Sequence, residues 1–400
     1  MCTTGNKKCL VLFLVMLASV SVASAAVKLG IDVLADNDYS LLAGKRVGLI
    51  TNQTGVNAEG VRTRVLLRKN CNLVALYTPE HGLDGREKAG RYVRSRRDPV
   101  TGLIAHSLYG PTRKPTAAML RGVDVLVFDL QDIGCRSYTY ISTMGRCMEA
   151  AGELNIPFIV LDRPNPLGGL RIEGPSVEQR WISFVSQFPI PYVHGMTVGE
   201  LARMVNGEHW MSARCNLTVV EMRGWGRGMT WEETGLRWIP SSPNIPRGHS
   251  PLYYVATGLV GELSGPEIGI GGPAPFQSIA ASWLNASSFT DYLRSLETPG
   301  VTFHELRRGR YQGSALNIEP EAATNLTGLG IYMMAEMNRL AHPDMFQRSS
   351  RSKLDIFFKV YGSASIRPLI ERQKSPASII ASWKTNEQEF RSARRLFLLY

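Results

Sequence analysis

Leu73-Val74-Ala75-Leu76-Tyr77-Thr78-Pro79-Glu80-His81-Gly82-Leu83-Asp84-Gly85 is the stretch whose reading decides the fold. An apolar run from Leu73 to Tyr77 ends abruptly in a proline, an acid, an imidazole and two glycines. A buried strand gives such a run, and the break marks its carboxyl end. In open α/β sheets, ligands sit outside the carboxyl ends of strands. Glu80 and His81 are therefore placed where chemistry is expected, a solvated turn being the plainer alternative.

Outward from this stretch the arrangement repeats. Lys45 to Asn52 reads as a strand, Val61 to Lys69 as a helix and Val123 to Leu130 as a further strand. Tyr138 to Leu154 reads as a helix and Phe158 to Leu161 as a fourth strand. Strand and helix in alternation predict a parallel sheet covered on both faces. Four strand ends then meet at one rim, carrying Thr51/Asn52, Glu80/His81, Asp129/Gln131/Asp132 and Asp162/Arg163/Asn165. Such a convergence of polar clusters points to an active site there. Asp84 to Lys114 reads as a long polar loop, and loops of that length in compact domains are usually functional.

Near residue 190 the alternation fades. Thr197-Val198-Gly199-Glu200 forms a capping box that opens a helix through Val205. Beyond it, short strands, Gly/Pro loops and helices over 326–340, 365–372, 377–384 and 387–399 suggest an α+β domain. The expected division is a leader over 1–25, a parallel-sheet domain over 26–192 and a C-terminal domain over 193–400.

The leader has the form of a signal peptide: basic Lys7 and Lys8, an apolar run from Cys9 to Val20, and Ala23-Ser24-Ala25 as the cleavage signal. That run is too short to favour a membrane span, and no later stretch is long enough. A soluble, exported protein is expected, periplasmic or extracellular, with no stable membrane insertion after cleavage. Loss of Lys7 and Lys8 lowers the formal charge from +11 to +9, an excess suited to anionic surfaces or substrates. The basic residues are scattered and no nucleic-acid motif accompanies them, so nucleic acid is not expected as a partner. Cys71, Cys135, Cys147 and Cys215 remain, open to three disulfide pairings or to none. Asn52-Gln53-Thr54, Asn216-Leu217-Thr218, Asn285-Ala286-Ser287 and Asn325-Leu326-Thr327 fit the glycosylation pattern, which matters only in a eukaryotic secretory pathway.

Several chemistries lack their motifs. There is no G-x-S-x-G elbow, no H-E-x-x-H and no Walker loop. Gly269-Ile270-Gly271-Gly272-Pro273-Ala274 fits G-x-G-x-x-A only formally, because Pro273 stands where a helix should open. His81, His194 and His249 show no ligand spacing, so neither a metal nor a cofactor is expected. Carboxylates remain: Glu80, Asp129, Asp132 and Asp162 in the first domain and Glu262 in the second. A pair of carboxyls flanking a bond is the minimum equipment for glycoside hydrolysis, and one of them must hold a proton. A loop cap or structural ion pair is the competing reading for each acid, most plainly for Asp162 beside Arg163. Trp181, Trp225, Trp231, Trp238 and Tyr253 are core residues by default, although an aromatic at a cleft can stack on a sugar.

Thr78 to Gly82, Phe128-Asp129-Leu130-Gln131-Asp132-Ile133-Gly134 with Arg136 to Tyr140, and Leu161-Asp162-Arg163-Pro164-Asn165-Pro166-Leu167-Gly168-Gly169 resemble the NamZ family of exo-β-N-acetylmuramidases. The resemblance runs on through His194 to Thr197, Glu200 to Ala202, Pro275 to Gln277, Ile380 to Trp383 and Leu398 to Tyr400. It implies a Rossmann-like N-terminal domain, a smaller C-terminal domain, and an active-site cleft between them. It implies hydrolysis that releases N-acetylmuramic acid from the non-reducing ends of peptidoglycan fragments. Carried onto this chain, it makes Glu80 the general acid/base and leaves Glu262, Asp132 or Asp162 as the second catalytic group. His81, Asn52, Gln131, Arg136, Tyr138, Arg163 and Asn165 are the expected substrate-binding residues. Muramic acid bears a lactyl carboxylate, for which a forked Arg163 or Arg136 is suited. Gly271-Gly272-Pro273 departs from an Arg-Gly-Thr-like run of the family. That departure keeps open a non-catalytic saccharide-binding protein, and a hydrolase of an ester or amide is a weaker option.

Overall fold

The computed structural model describes Met1 and residues 26–400, so the leader expected over 1–25 lies, Met1 apart, outside the described residues. The chain passes through α1 (Gly30–Asp36), β1 (Arg46–Thr51), α2 (Thr63–Asn70) and β2 (Asn72–Thr78). Two short strands come after these, β3 (Arg96–Arg97) and β4 (Ile104–Ser107), in the segment read as a loop from its polar composition. Next come β5 (Val125–Asp129), α3 (Tyr140–Glu153), β6 (Phe158–Leu161), α4 (Val198–Gly207) and β7 (Leu217–Val220). The seven strands form one sheet, ordered β3-β4-β2-β1-β5-β6-β7. All pairings are parallel except that of the edge strand β3 with β4. From β1 the chain runs to β2 on one side, and from neighbouring β5 to β6 on the other. Connections diverge there, which opens a crevice at the carboxyl ends.

Both faces of the sheet are covered at its centre, which is why β1, β2, β5 and β6 are largely apolar. Successive side chains alternate sides. Val47, Leu49, Val125 and Val127 pack with Leu34 of α1 and Leu67 of α2. Ile50, Leu126 and Phe128 pack with Met144 of α3 and Leu201 of α4. Each such buried side chain contributes roughly 1.5–3 kcal/mol relative to exposure.

The division expected after residue 192 is corrected by β7. It pairs in parallel with β6 from Phe158↔Leu217 to Leu161↔Val220, and α4 packs over both strands. Residues 193–249 thus extend the first sheet by one more helix–strand repeat, disguised by the irregular run that precedes α4. The capping box at the start of α4 is present: Glu200 N donates to Thr197 Oγ1 at 3.2 Å, and Thr197 N donates to Glu200 Oε2 at 3.0 Å.

The second unit begins with α5 (Ser250–Gly261), then β8 (Ser278–Ala281), α6 (Ala286–Arg294), β9 (Val301–Arg308) and β10 (Tyr311–Ile318). It closes with α7 (Leu326–Leu340), α8 (Met345–Arg348), α9 (Arg351–Tyr361), α10 (Ile366–Glu371), α11 (Pro376–Ala381) and α12 (Lys384–Ala393). Its three strands form an antiparallel sheet in the order β8-β10-β9. The core on the α3/α4 face continues without a break into this unit, through Tyr192 to Leu252, Leu326 and Phe357. Cys71, Cys135, Cys147 and Cys215 are free thiols. Burial pushes the Cys135 and Cys215 thiols up to about 11, far from the reactive thiolate. Among the described residues, no helix is long and apolar enough to cross a membrane.

Candidate active site

Beyond β2 the backbone turns sharply. His81 takes a left-handed φ of 68° and Gly82 one of 76°. A non-glycine residue there is strained, and such strain persists only where surrounding structure imposes it. The constraint is visible in the adjoining loop: His81 Nδ1 lies 2.7 Å from the Glu87 carbonyl, which can only accept, so Nδ1 carries the proton. The loop returns to place Gly90 N against Glu80 Oε1, donating at 2.7 Å. Gly90 has φ +71°, which suits glycine. Thr139, the N-cap of α3, donates through Oγ1 to Glu80 Oε2 at 2.7 Å. Tyr109, beyond β4, is the third neighbour. Burial and the Glu80 charge beside it push its phenol up to about 12. Glu80 is thus held from the ends of β2, β4 and β5 at once.

Glu80 faces a cavity of about 470 Å³ between the two units. His81, Tyr109, Tyr138 and Thr139 line it from the first unit; Tyr254, Gly258 and Glu262 of α5, with Phe276 and Val360, line it from the second. Tyr138 donates to Ser241 Oγ at 2.9 Å, and Tyr254 shares a 2.9 Å hydrogen bond with Ser137. Tyr254 stands edge-on to both Tyr138 and Phe276, with centroids 6.5 and 5.0 Å apart, so one wall is aromatic. Glu262 is the C-cap of α5, where the helix end already disfavours negative charge. Burial raises its pKa above the usual carboxylate range, opposed by the charge of Lys353. Two carboxyls from two separate units therefore share one partly apolar cavity, and one of them holds its proton to higher pH than a free glutamate.

Of the expected site residues, Glu80, His81, Tyr138 and Glu262 come together here. The others do not line it; most are held by hydrogen bonds within the fold, although Asp132 Oδ2 and Gln131 Oε1 are buried without a partner. Asp162 is fully buried and accepts from Arg163 N, Gly199 N, Thr197 Oγ1 and the Tyr400 hydroxyl at 2.7–2.9 Å. It anchors the start of α4 and the C-terminus; burial holds its pKa at about 6 despite these donors. Asp132 accepts from Gly134 N at 2.8 Å and lies beneath the rim, where burial raises it to about 7. Gly134 is fixed as glycine by its φ of +79° and by Asn165 Oδ1, which fills the place a Cβ would take.

The arginines expected to grip a substrate carboxylate are also occupied. Arg163 donates to Asp129 Oδ1 and to the Val56 carbonyl, both at 2.5 Å. Arg136 is fully buried, and all five of its N–H groups are used: on Ser186 Oγ and on the carbonyls of Pro175, Ile190, Val360 and Tyr361. Asn52 donates to the Tyr140 hydroxyl and accepts from Thr54. Gln131 donates to the carbonyls of Asp132 and Pro164. Asn165 donates to the Met196 carbonyl and accepts from Leu167 N. These three shape loops rather than face the cavity.

Tyr109, Thr139 and Tyr254 do not stand out in the sequence. Thr139 carries a signal, that of an N-cap residue directly before a helical pattern. Tyr254 lies one residue past Tyr253, which instead accepts from Ile318 N at 3.1 Å within the core. One residue on a helix is a rotation of about 100°, enough to exchange core for cavity. Tyr109 has no local signal, since it comes after a strand hidden in the polar segment.

The N-terminal family model of the exo-β-N-acetylmuramidase NamZ matches residues 47–249, and its C-terminal counterpart matches residues 252–400. The chain is 41% identical over 385 residues to the peptidoglycan β-N-acetylmuramidase NamZ of Bacillus subtilis strain 168, covering 94% of this chain and 91% of that protein. Two crystal structures of DUF1343 family proteins from Bacteroides fragilis NCTC 9343 share the fold. One is 46% identical with a TM-score of 0.87 and the other 28% identical with a TM-score of 0.73; each comparison covers 94% of this chain and 99% of the other. With both family models matched and the relative aligned nearly end to end, the chain belongs to the NamZ family of exo-β-N-acetylmuramidases.

Proposed function

We propose that this protein is an exo-acting glycoside hydrolase that releases N-acetylmuramic acid from the non-reducing ends of peptidoglycan fragments. The observation that carries the reading is the meeting of Glu80 and Glu262, from separate units, in one cavity with an aromatic wall. Glu80 is the general acid/base. Its Oε1 accepts from the Gly90 amide, which can only donate, so the mobile proton belongs on Oε2. Oε2 faces a hydroxyl, that of Thr139, which donates to a carboxylate and accepts from a carboxylic acid. Both protonation states thus find a partner, as a group that gives a proton and later retrieves one requires. Glu262, whose proton burial favours, faces the sugar from the opposite wall of the cavity. The protein acts after export, in the periplasm or outside the cell, starting at Ala26 once its leader is removed. N-terminal sequencing of the exported form checks this point.

The test is release of 4-nitrophenol from its β-N-acetylmuramic acid glycoside and from its N-acetylglucosamine glycoside, by wild type and Glu80→Gln. Turnover of the muramic substrate, lost in the variant, is the expected result. Turnover that survives the substitution removes the acid/base role from Glu80. A folded wild type that binds but cleaves neither glycoside is a saccharide-binding protein. Attention then moves to the altered Gly271-Gly272-Pro273 loop, which adjoins the cavity through Gly271 N on Asn244 Oδ1 at 3.3 Å.

A further inference from the structure

An anionic sugar in this cavity needs a cation to meet its carboxylate, and Arg136 and Arg163 are spent inside the fold. Arg113 has a different setting. Its guanidinium carbon lies 3.7 Å from the ring centroid of Tyr109 and 4.4 Å from that of Phe184. The two rings are 6.0 Å apart and tilted by 59°. The cation is therefore held against two aromatic rings, which fixes its plane and leaves N–H edges for a ligand. Among the described residues no carboxylate forms a salt bridge with it, and its side chain is half-buried. Tyr109 lines the cavity and so does Val185, the neighbour of Phe184, while Arg113 stands against Tyr109 just outside the lining. Glu80 and Arg113 also act on the same phenol: the Glu80 charge raises the Tyr109 pKa and the Arg113 charge lowers it. Lys353, whose charge bears on Glu262, is exposed, and so are Lys88 and Arg91, which flank the lining residues Ala89 and Gly90.

We propose that Arg113 is the carboxylate-binding residue of this cavity, gripping the acidic arm of a muramic-type sugar and setting the preference for it over uncharged hexosamines. This rests on the glycosidase reading, which Glu80 and Glu262 carry independently. A guanidinium pre-oriented by stacking loses little freedom on binding and meets a carboxylate with two parallel hydrogen bonds. Ammonium in its place keeps the charge but neither the fork nor the stack.

The experiment compares the 4-nitrophenyl glycoside of β-N-acetylmuramic acid with its lactyl amide, for wild type, Arg113→Met and Arg113→Lys. Methionine keeps an apolar stem between the rings. Arg113→Met is expected to lose about 10–100-fold in kcat/KM on the acid, mainly through KM, and little on the amide. Arg113→Lys should recover part of the loss on the acid alone. Equal losses on both substrates, or an undiminished preference for the acid in Arg113→Met, overturn the proposal. Calorimetric titration with free N-acetylmuramic acid and its amide reads the same contact without turnover. A wild type that prefers the acid, loses that preference in Arg113→Met and yet cleaves nothing upholds the subsite and refutes the glycosidase. Equal affinity of wild type for acid and amide refutes the subsite.

Discussion

At the scale of single residues, the two cavity carboxyls are set apart by their partners. Glu80 has a fixed amide on one oxygen and a hydroxyl on the other, whereas burial raises the pKa of Glu262 against the opposing charge of Lys353. Glu80→Gln keeps the shape but cannot exchange a proton, so a fall of about 10²–10⁴-fold in kcat is expected with melting unchanged. Glu262→Gln keeps the shape but cannot ionise, so a loss within about 10-fold is expected of a hydrogen-bonding group and a loss as large as that of Glu80→Gln marks a second catalytic carboxyl; parallel initial-rate assays of the two variants check the difference. A second residue-scale prediction concerns Asp132. Its pKa is raised from 3.8 to about 7 by burial, so the folded chain binds more protons than the unfolded chain between those values. Stability from this group therefore falls as pH rises from about 4 to 7. Asparagine can still accept from Gly134 N and does not titrate. The melting temperature of Asp132→Asn relative to wild type should rise between pH 4 and pH 8, which a pH series of thermal melts measures.

At the scale of elements, the site depends on the segments that leave each strand. The loop after β2 is organised by His81 and closed by Gly90, whose amide reaches Glu80. A Cβ at Gly90 meets nothing within 4 Å, so only the backbone resists a side chain. The left-handed φ makes that cost about 1–2 kcal/mol, which a shift of the exposed loop relieves. Gly90→Ala is expected to lower kcat about 5–10-fold with little change in melting, as activity and thermal scans on one preparation will show. The β9–β10 hairpin is an element that the sequence pattern hides. Its two-residue connection, Gly309-Arg310, has Gly309 at φ 57°, a recognisable hairpin signal. Only Val301 and Phe303 of β9 are buried, however, so the strand's alternation is weak.

At the scale of the whole molecule, the two units share one continuous core. Arg136, at the end of the β5 region, holds the last carbonyls of α9 more than two hundred residues away. The core runs through both units, and Tyr400 is tied back to Asp162 beneath the first sheet. Arg136→Met leaves Ser186 and four carbonyls, three of them buried, without this donor and is expected to cost about 3 kcal/mol or more, read by urea unfolding. Heat should unfold the intact chain in one transition, and residues 26–249 expressed alone should not form a monomeric folded unit. Two separate calorimetric peaks, or a well-folded fragment, would refute this.

The sequence by itself determined the four inner strands β1, β2, β5 and β6, because strands buried on both faces must be largely apolar and must break where they leave the sheet. It also determined that polar residues crowd the rim, that α4 starts at a capping box, and, through long motifs, which family the chain resembles. Only the tertiary structure decided which of those polar residues meet solvent and substrate. Asp162, Arg163, Arg136 and Glu80 look alike as polar groups just past strand ends. A buried polar group must find partners, however, and those partners lie far along the chain: Tyr400 for Asp162, Val360 and Tyr361 for Arg136. Glu80 draws its partners, Gly90 and Thr139, from loops of the first unit alone and keeps a face open to the cavity, whose other wall, with Glu262, arrives from a separate unit. Local pattern fixes where the backbone goes; which side chains remain available for chemistry is settled by hydrogen-bond satisfaction across the whole fold.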